Sequence, residues 1–107
     1  MPFQVVDLPN IVIVNGSSVG NALVNLDDAV SITIYAPSAL TGTVTLEVEP
    51  STTGTSFVTQ QSGGSDVSVP SGKATTIVDP SFRQMRLVSA ATEGADRTFK
   101  VTRKILV

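Results

Sequence analysis

The sequence predicts an all-β domain, an antiparallel β-sandwich of the Ig-like or jelly-roll type with about eight strands. Two observations carry this prediction. Val, Ile and Thr together make up about a third of the 107 residues, an enrichment in β-branched side chains that is typical of strands. Short alternating runs also recur roughly every ten residues, with turn residues between them. A chain of this length, 41% hydrophobic and 15% charged, fits a single domain over residues 1–107.

The strands are predicted from the alternation of apolar and polar residues and from the turn signals between the runs. In chain order they are residues 3–6, 11–14, 19–26, 30–36, 43–49, 55–60, 66–69, 74–78, 84–89 and 97–106. Proline ends several of these runs, because it cannot donate an N–H to a ladder. Asn15-Gly16 follows the run IVIV and predicts a two-residue type I′ hairpin turn, in which both central residues need positive φ.

Alternation also predicts which side chains fill the ~10 Å space between two packed sheets. The predicted core residues are Val30, Ile32, Ile34, Val44, Leu46, Val48, Met85, Leu87, Phe99 and Val101. In the stretch TGTVTLEVEP, the residues of opposite parity are threonines and the two glutamates Glu47 and Glu49. We expect these side chains to form a solvated outer face, as is common for antiparallel sheets.

The two ends of the chain depart from this alternation. Between Phe3 and Val14, eight of twelve residues are large and apolar, and the last three residues are Ile, Leu and Val. Residues 1–14 are therefore either edge strands of the domain's own sandwich or an N-terminal arm that docks on a neighbour, and the C-terminal strand presents the same choice. If residues 1–10 are an arm, a chain without residues 2–10 should still fold. The candidate interface residues are Phe3, Val5, Val6, Leu8, Ile105, Leu106 and Val107.

The residue types argue against enzyme chemistry. Histidine and cysteine are absent, so the chain can form no Ser-His-Asp or Cys-His arrangement, no thiolate metal site and no disulfide. The run SGKAT resembles the end of a phosphate-binding loop, but Val67 occupies the place of its first glycine. We expect Glu47 and Glu49 to face outward, without the burial that a glycosidase carboxylate pair needs. We therefore predict that the protein is not an enzyme and has no catalytic residues, no metal site and no cofactor.

Charge and hydropathy give the expected partners. The net charge is −2, which does not favour binding to nucleic acid. Six of the seven basic residues lie in the last quarter of the chain, where we expect them to pair with acids on neighbouring strands. No segment approaches the ~18 apolar residues needed to span a bilayer, and the first ten residues lack the basic start of a signal peptide. We therefore expect no membrane partner, and we expect that the protein is made in the cytoplasm and stays there or leaves as part of something larger.

Four pieces of the segment from Ala39 to Val101 occur in a recognisable order. They are a strand of the type "tG-x-v-t-l-e-v" at 41–48, an "agka" turn at 71–74, a "P-x-F-r-x-l-R-l" strand at 80–87 and an "R-x-f-x-v" strand at 97–101. In this order they resemble small Ig-like or jelly-roll β-domains from the structural gene modules of tailed bacteriophages. The resemblance covers about three-fifths of the chain.

The resemblance implies a non-enzymatic virion structural protein, in the first place a capsid decoration (cement) protein that binds and stabilises the head shell. Its partners would be the major capsid protein and further copies of itself, as a homotrimer on the capsid surface, with the chain made in the cytoplasm of a bacterial host. The alternatives are a head–tail connector, a tail or fibre accessory protein, and a receptor-binding β-sandwich module. Because this family has no catalytic motif, the resemblance implies a role and no individual site residue.

Overall fold

Nine strands lie in the part of the chain that the computed structural model describes, residues 2–107. They are β1 (Phe3–Ile13), β2 (Ala29–Tyr35), β3 (Val44–Glu49), β4 (Val58–Thr59), β5 (Gln61–Ser62), β6 (Ser65–Asp66), β7 (Ala74–Val78), β8 (Gln84–Ser89) and β9 (Arg97–Leu106). Every pairing is antiparallel: a four-stranded sheet in the order β1-β9-β2-β7, a three-stranded sheet β4-β3-β8 and a short β5-β6 hairpin. The predicted class, an all-β sandwich, is confirmed.

The strand pairing is that of a jelly roll. Residues 17–26 form no regular strand, but they run beside β8, where Leu23 and Met85 exchange backbone hydrogen bonds of 2.8 and 3.0 Å. Without the separate β5-β6 hairpin, and with this segment counted as a strand, the chain has eight strands in one long hairpin. The first strand pairs with the last, β1 with β9, and the second pairs with the seventh, residues 17–26 with β8. The third then pairs with the sixth, β2 with β7, and the two middle strands, β3 and β4, pair with each other. Such a hairpin rolled into two facing sheets distinguishes a jelly roll from the Ig-like alternative.

The core lies between the two sheets, and alternation predicted most of it. All of the predicted core residues are buried except Val30, which is half-buried. Val30 leaves the alternation because the register of β2 against β9 shifts between Ala29 and Ser31. Further buried residues that the alternation did not predict complete the core: Ile11, Ile13, Leu23, Leu26, Val69 and Phe82.

The turn at Asn15-Gly16 differs from the prediction. The Ser17 N–H donates to the Val14 carbonyl at 3.0 Å, and Gly16 has a φ of 85°. Asn15 is not among the residues with positive φ, so the turn matches type II and not type I′. The prediction of a hairpin was wrong, because the chain passes here from β1 in one sheet to the segment beside β8 in the other. A dipeptide signal cannot show which sheet receives the strand that follows.

The outer face of β3 is less solvated than expected. Glu47 is partly buried and pairs with Arg86 across the strand pair at 2.7 Å, while the Arg86 guanidinium lies 4.3 Å from the centre of the Phe57 ring. Glu49 is only 5% exposed, and it accepts hydrogen bonds from the Ser51 N–H and hydroxyl at 3.1 and 3.0 Å. The expectation of a solvated Glu49 was therefore wrong, because the connection between β3 and β4 folds back over this face.

Residues 3–13 form an edge strand of the domain's own sheet. β1 pairs with β9 from Phe3 opposite Leu106 to Ile13 opposite Arg97. A bulge between Leu8 and Ile11 joins the two predicted strands 3–6 and 11–14 into one, and it explains the poor alternation of this segment. The first of the two alternatives for this end, an edge strand of the same sandwich, is what the structure shows, and Met1 lies outside the described residues.

Candidate interaction surface

The register of β1 against β9 brings the two apolar ends of the chain together. The opposed pairs at this end are Phe3 with Leu106, Gln4 with Ile105, Val5 with Lys104, Val6 with Arg103 and Leu8 with Val101. The Val107 N–H adds a hydrogen bond of 3.2 Å to the Pro2 carbonyl. The candidate interface residues therefore lie together along one half of the β1–β9 pair, from its end to Leu8 near its middle, although the sequence shows them as two separate groups.

These residues divide between the two faces of the sheet. Phe3, Val5 and Leu106 lie side by side on the outer face and are 51%, 64% and 48% exposed. They are called the apolar patch below. Val107 is also exposed, just beyond the end of β9. The remaining candidates alternate onto the inner face, where they are half-buried: Val6, Leu8 and Ile105.

The apolar patch carries one positive charge. Lys104 stands opposite Val5 on the outer face, and its Nζ lies 5.0 Å from the centre of the Phe3 ring. This is the geometry of a cation–π contact, in which the lysine stem covers apolar surface and the ammonium group remains in water. Farther along the same face the side chains become polar, and the Thr33 and Thr76 hydroxyls are hydrogen-bonded at 2.9 Å. The outer face is therefore apolar and positively charged at one end and polar at its centre.

The backbone of β1 is open to a further strand beside the apolar patch. The bond from the Val107 N–H to the Pro2 carbonyl identifies these two residues as a hydrogen-bonded pair, and such pairs alternate along an antiparallel ladder. Every second residue from Pro2 onward therefore directs its backbone groups to β9. Phe3, Val5 and Asp7 direct theirs away from the sheet, to a side where no strand pairs with β1 in residues 2–107.

The open edge ends at the bulge. The Asn21 side chain accepts a hydrogen bond from the Val12 N–H at 2.8 Å and donates one to the Asn10 carbonyl at 3.2 Å. These two bonds satisfy the edge backbone that follows the bulge, and Pro9 has no N–H to offer. The stretch available to another strand is therefore Phe3–Asp7, which is called the open edge below.

The opposite end of the sandwich is held by a buried carboxylate. Glu93 is 1% exposed, and its two oxygens accept four hydrogen bonds. The donors are the Thr41 N–H at 2.8 Å, the Gly42 N–H at 3.1 Å, the Ser89 hydroxyl at 2.7 Å and Arg97 Nε at 2.9 Å. Burial raises the pKa of Glu93, but these hydrogen bonds outweigh it and lower the pKa from 4.5 to about 2.

The backbone of Glu93 extends the same network to the turn after β1. Its carbonyl accepts from the Gly16 N–H and its N–H donates to the Ser17 carbonyl, both at 2.9 Å. One residue thus joins this turn, the β2–β3 connection and the β8–β9 connection. No pattern in the sequence predicted Glu93, and the i, i+4 spacing to Arg97 is the one signal that could have indicated it. The role of Glu93 follows from the folded geometry and is structural.

The basic residues do not form a common surface. Four arginines of the last quarter are in ion pairs: Arg83 with Asp27 at 3.8 Å, Arg86 with Glu47 at 2.7 Å, Arg97 with Glu93 at 2.9 Å and Arg103 with Asp28 at 2.8 Å. These pairs lie on both sheets, whereas Lys100 and Lys104 lie on the outer face of the four-stranded sheet. The expected pairing with acids is therefore present for the arginines.

No chemical site stands out in the described residues. Within 2–107, no group of three Asp or Glu side chains is arranged to hold a metal ion. A depression of about 350 Å³ lies at the bulge, and its polar lining includes Asp7, Asn10, Tyr35 and Lys100, but it is open to solvent. Over the same residues no helix is long and apolar enough to cross a membrane. The apolar patch and the open edge beside it are therefore the candidate functional site.

Comparison with known proteins adds little to this description. No family model and no curated protein matches the chain. A chain from the solved structure "Bacillus endospore appendages form a novel family of disulfide-linked pili" aligns with 99% of this chain and 93% of its own length, at 14% identity and a TM-score of 0.42. A similarity at this level carries no argument about function. The fold and its surface define a jelly-roll domain with an exposed apolar patch beside an open strand edge.

Proposed function

We propose that the protein is a non-enzymatic structural protein of a tailed-phage virion, a capsid decoration protein that binds the head shell through the apolar patch. The observation that carries the proposal is the side-by-side exposure of Phe3, Val5 and Leu106 on the outer face of the sheet. Clusters of large apolar side chains on a small domain mark contact surfaces. The partner in this proposal is the major capsid protein.

The energetics favour many weak contacts over one strong one. Covering the apolar patch would remove a few hundred Å² of apolar surface from water, worth several kcal/mol at ~25 cal/mol per Å² before the costs of association. This is less than the ~1,200 Å² of a stable interface. Copies joined to one another would bind a repeating shell with much higher avidity than one copy. A homo-oligomer, such as a homotrimer, therefore belongs to the proposal.

Two further observations support the virion role. Four pieces of the chain resemble, in order, the β-domains of phage structural modules. The jelly-roll topology is one that viral capsid proteins use, although lectins and cupins share it and a fold alone assigns no function. The copy number in purified virions distinguishes the position: hundreds of copies indicate the capsid surface, whereas a few indicate a connector or tail part.

Co-sedimentation with head shells that lack the protein tests the proposal. Val5→Ser places a hydroxyl in the apolar patch and should raise the dissociation constant about tenfold, because burying one valine side chain is worth ~1.5 kcal/mol or more. Val58→Ser is the matched control, since Val58 is 62% exposed, against 64% for Val5, and lies on β4 in the other sheet. Absence of binding by the unmodified protein, or equal losses in the two variants, would overturn the proposal.

A further inference from the structure

We infer that the open edge of β1 pairs with the same edge of a second copy of the chain, in an antiparallel two-fold contact centred on Val5. The inference rests on the proposed structural role and names one partner for it. The proposed self-pairing and the proposed binding to the head shell involve different chemical groups of β1. Shell binding uses side chains on the outer face, whereas self-pairing uses the backbone of Phe3, Val5 and Asp7 at the edge.

A comparison of the sheet edges favours β1. The β5-β6 hairpin lies beside the edge strand β7, where Gln61, Ser62, Thr76 and Val78 line a common groove. In the other sheet, β4 has two residues and the segment beside β8 is irregular. Both β1 and β7 alternate regularly, but β7 is flanked by this hairpin, whereas β1 is open over Phe3–Asp7, the kind of edge to which another strand adds.

The open edge is self-complementary. With the two-fold axis at Val5, the two Val5 residues stand opposite each other, and Phe3 of each copy stands opposite Asp7 of the other. These are the three residues that direct backbone groups away from β9, so each becomes part of a hydrogen-bonded pair that exchanges two N–H···O bonds. The contact is isologous, because the same patch serves on both sides. The result is a continuous eight-stranded sheet.

Charge complementarity identifies the occupant as a second copy. Lys104 lies over the Phe3 ring, and in this register Asp7 of the second copy stands opposite Phe3 on the same face. Each acid therefore meets the lysine of the other copy, once on each side of the axis. In residues 2–107 of one copy, Asp7 takes part in no ion pair. When two copies of this edge run antiparallel, Phe3 with its neighbouring Lys104 faces Asp7 of the other copy, and Val5 faces Val5. The edge is therefore complementary in charge to a second copy of itself.

The size of the contact predicts a reversible dimer. Pairing over five residues buries less than the ~1,200 Å² of a stable interface, so the dimer should dissociate on dilution. Copies held next to each other on a shell would have a much higher effective concentration and would pair readily.

Sedimentation velocity of the full chain over a range of concentrations tests the backbone contact. In Val5→Pro, the N–H lost is one that points away from β9, and proline is tolerated on edge strands. Val78→Pro is the matched control: Asp79 donates to the Val30 carbonyl at 2.9 Å, so Val78 also directs its N–H away from the sheet, at the opposite edge. We expect Val5→Pro to need at least tenfold higher concentration to dimerise, and Val78→Pro to behave as the unmodified chain. An unmodified chain that stays monomeric, or two variants that behave alike, would overturn the inference.

A charge exchange tests the register, with thermal unfolding as the check that each variant is folded. Asp7→Lys and Lys104→Asp should each weaken the dimer about tenfold, because like charges then meet across the axis. The double variant should recover the dimer to within about threefold of the unmodified chain. Recovery supports the Val5-centred register, and a double variant no better than the single ones overturns it.

The same samples separate the two proposals. A chain that dimerises as described but does not sediment with head shells overturns the proposed function and supports self-pairing. A chain that sediments with shells but remains monomeric at every concentration overturns self-pairing and the homo-oligomer, and it supports only the shell-binding part of the proposed function.

Discussion

Arg97 Nε lies 2.9 Å from Glu93 Oε1, in an ion pair at the end of the sandwich opposite the apolar patch. The same oxygen accepts the Thr41 N–H at 2.8 Å, and the other oxygen accepts the Gly42 N–H and the Ser89 hydroxyl. A buried charge is stable only where its bonding capacity is used, and here both oxygens are fully occupied. One end of the domain is thus closed by a charged network, while the other end presents an open edge.

Replacing Glu93 by Gln should destabilise the fold. The glutamine amide would place N–H donors against the Thr41 or Gly42 N–H and would leave Arg97 without its counter-charge. The expected loss in the free energy of unfolding is about 3 kcal/mol, as for breaking other buried ion pairs. Glu47→Gln is the matched control, because the Glu47 and Arg86 side chains are 20% and 31% exposed, against 0% for Glu93, and the expected loss is about 1 kcal/mol. Urea unfolding of both variants measures the difference, and equal losses would contradict the structural role of Glu93.

The lowered pKa of Glu93 predicts acid sensitivity. Its pKa is about 2 in the folded protein and 4.5 ordinarily, so protonation favours the unfolded chain. The stabilisation from this group is fully present above pH 4.5 and is lost as the pH falls from 4.5 toward 2. The free energy of unfolding, measured at several pH values in this window, should fall more steeply for the unmodified protein than for Glu93→Gln. Parallel curves would show that Glu93 does not titrate as described.

Replacing Gly16 by Val should be unfavourable for a backbone reason. Gly16 has a φ of 85°, which a β-branched residue adopts only with strain, although nothing lies within 4 Å of the position of a Cβ. The expected loss is about 1–2 kcal/mol. Gly94→Val is the control, since its Cβ position is equally open and its φ is not positive. Thermal unfolding should separate the two variants, and a Gly16→Val protein as stable as the Gly94→Val protein would argue against the positive φ.

Deleting residues 2–10 should weaken the fold itself, contrary to the expectation for an arm. The deletion removes the strand that covers β9 from Val101 to Leu106 and removes Leu8, which packs against the core. Leu8 is half-buried, so its loss should cost less than the ~2–5 kcal/mol of a fully buried leucine, and the loss of the strand pairing adds to it. The double variant Phe3→Ser and Val5→Ser is the control, because it keeps the strand and changes exposed side chains only, with an expected change below ~1 kcal/mol. A deleted chain that melts at the same temperature as this control would show that residues 3–8 do not stabilise the sheet.

The local features of the strands follow from the sequence alone. The predicted bounds 74–78, 84–89 and 97–106 coincide with β7, β8 and β9. They could be predicted because successive side chains of a strand point to opposite faces, so apolar and polar residues alternate along the sequence itself. The inward side of β3 was predicted for the same reason. The run 55–60, in contrast, has no sustained alternation and contributes only the two-residue β4.

What the tertiary structure alone decided is which distant segments meet. Phe3 and Leu106 are opposed across a strand pair although they stand at the two ends of the chain, and this contact turns two separate apolar stretches into one patch with an open edge. Glu93 is buried because four donors from different parts of the chain converge on it. Alternation reports which way a side chain points relative to its own strand, whereas pairing depends on the free energy of contacts between segments far apart in sequence. The sequence by itself therefore determined the β-class, most strand bounds and most of the core, and the folded chain determined the patch, the edge and the buried carboxylate.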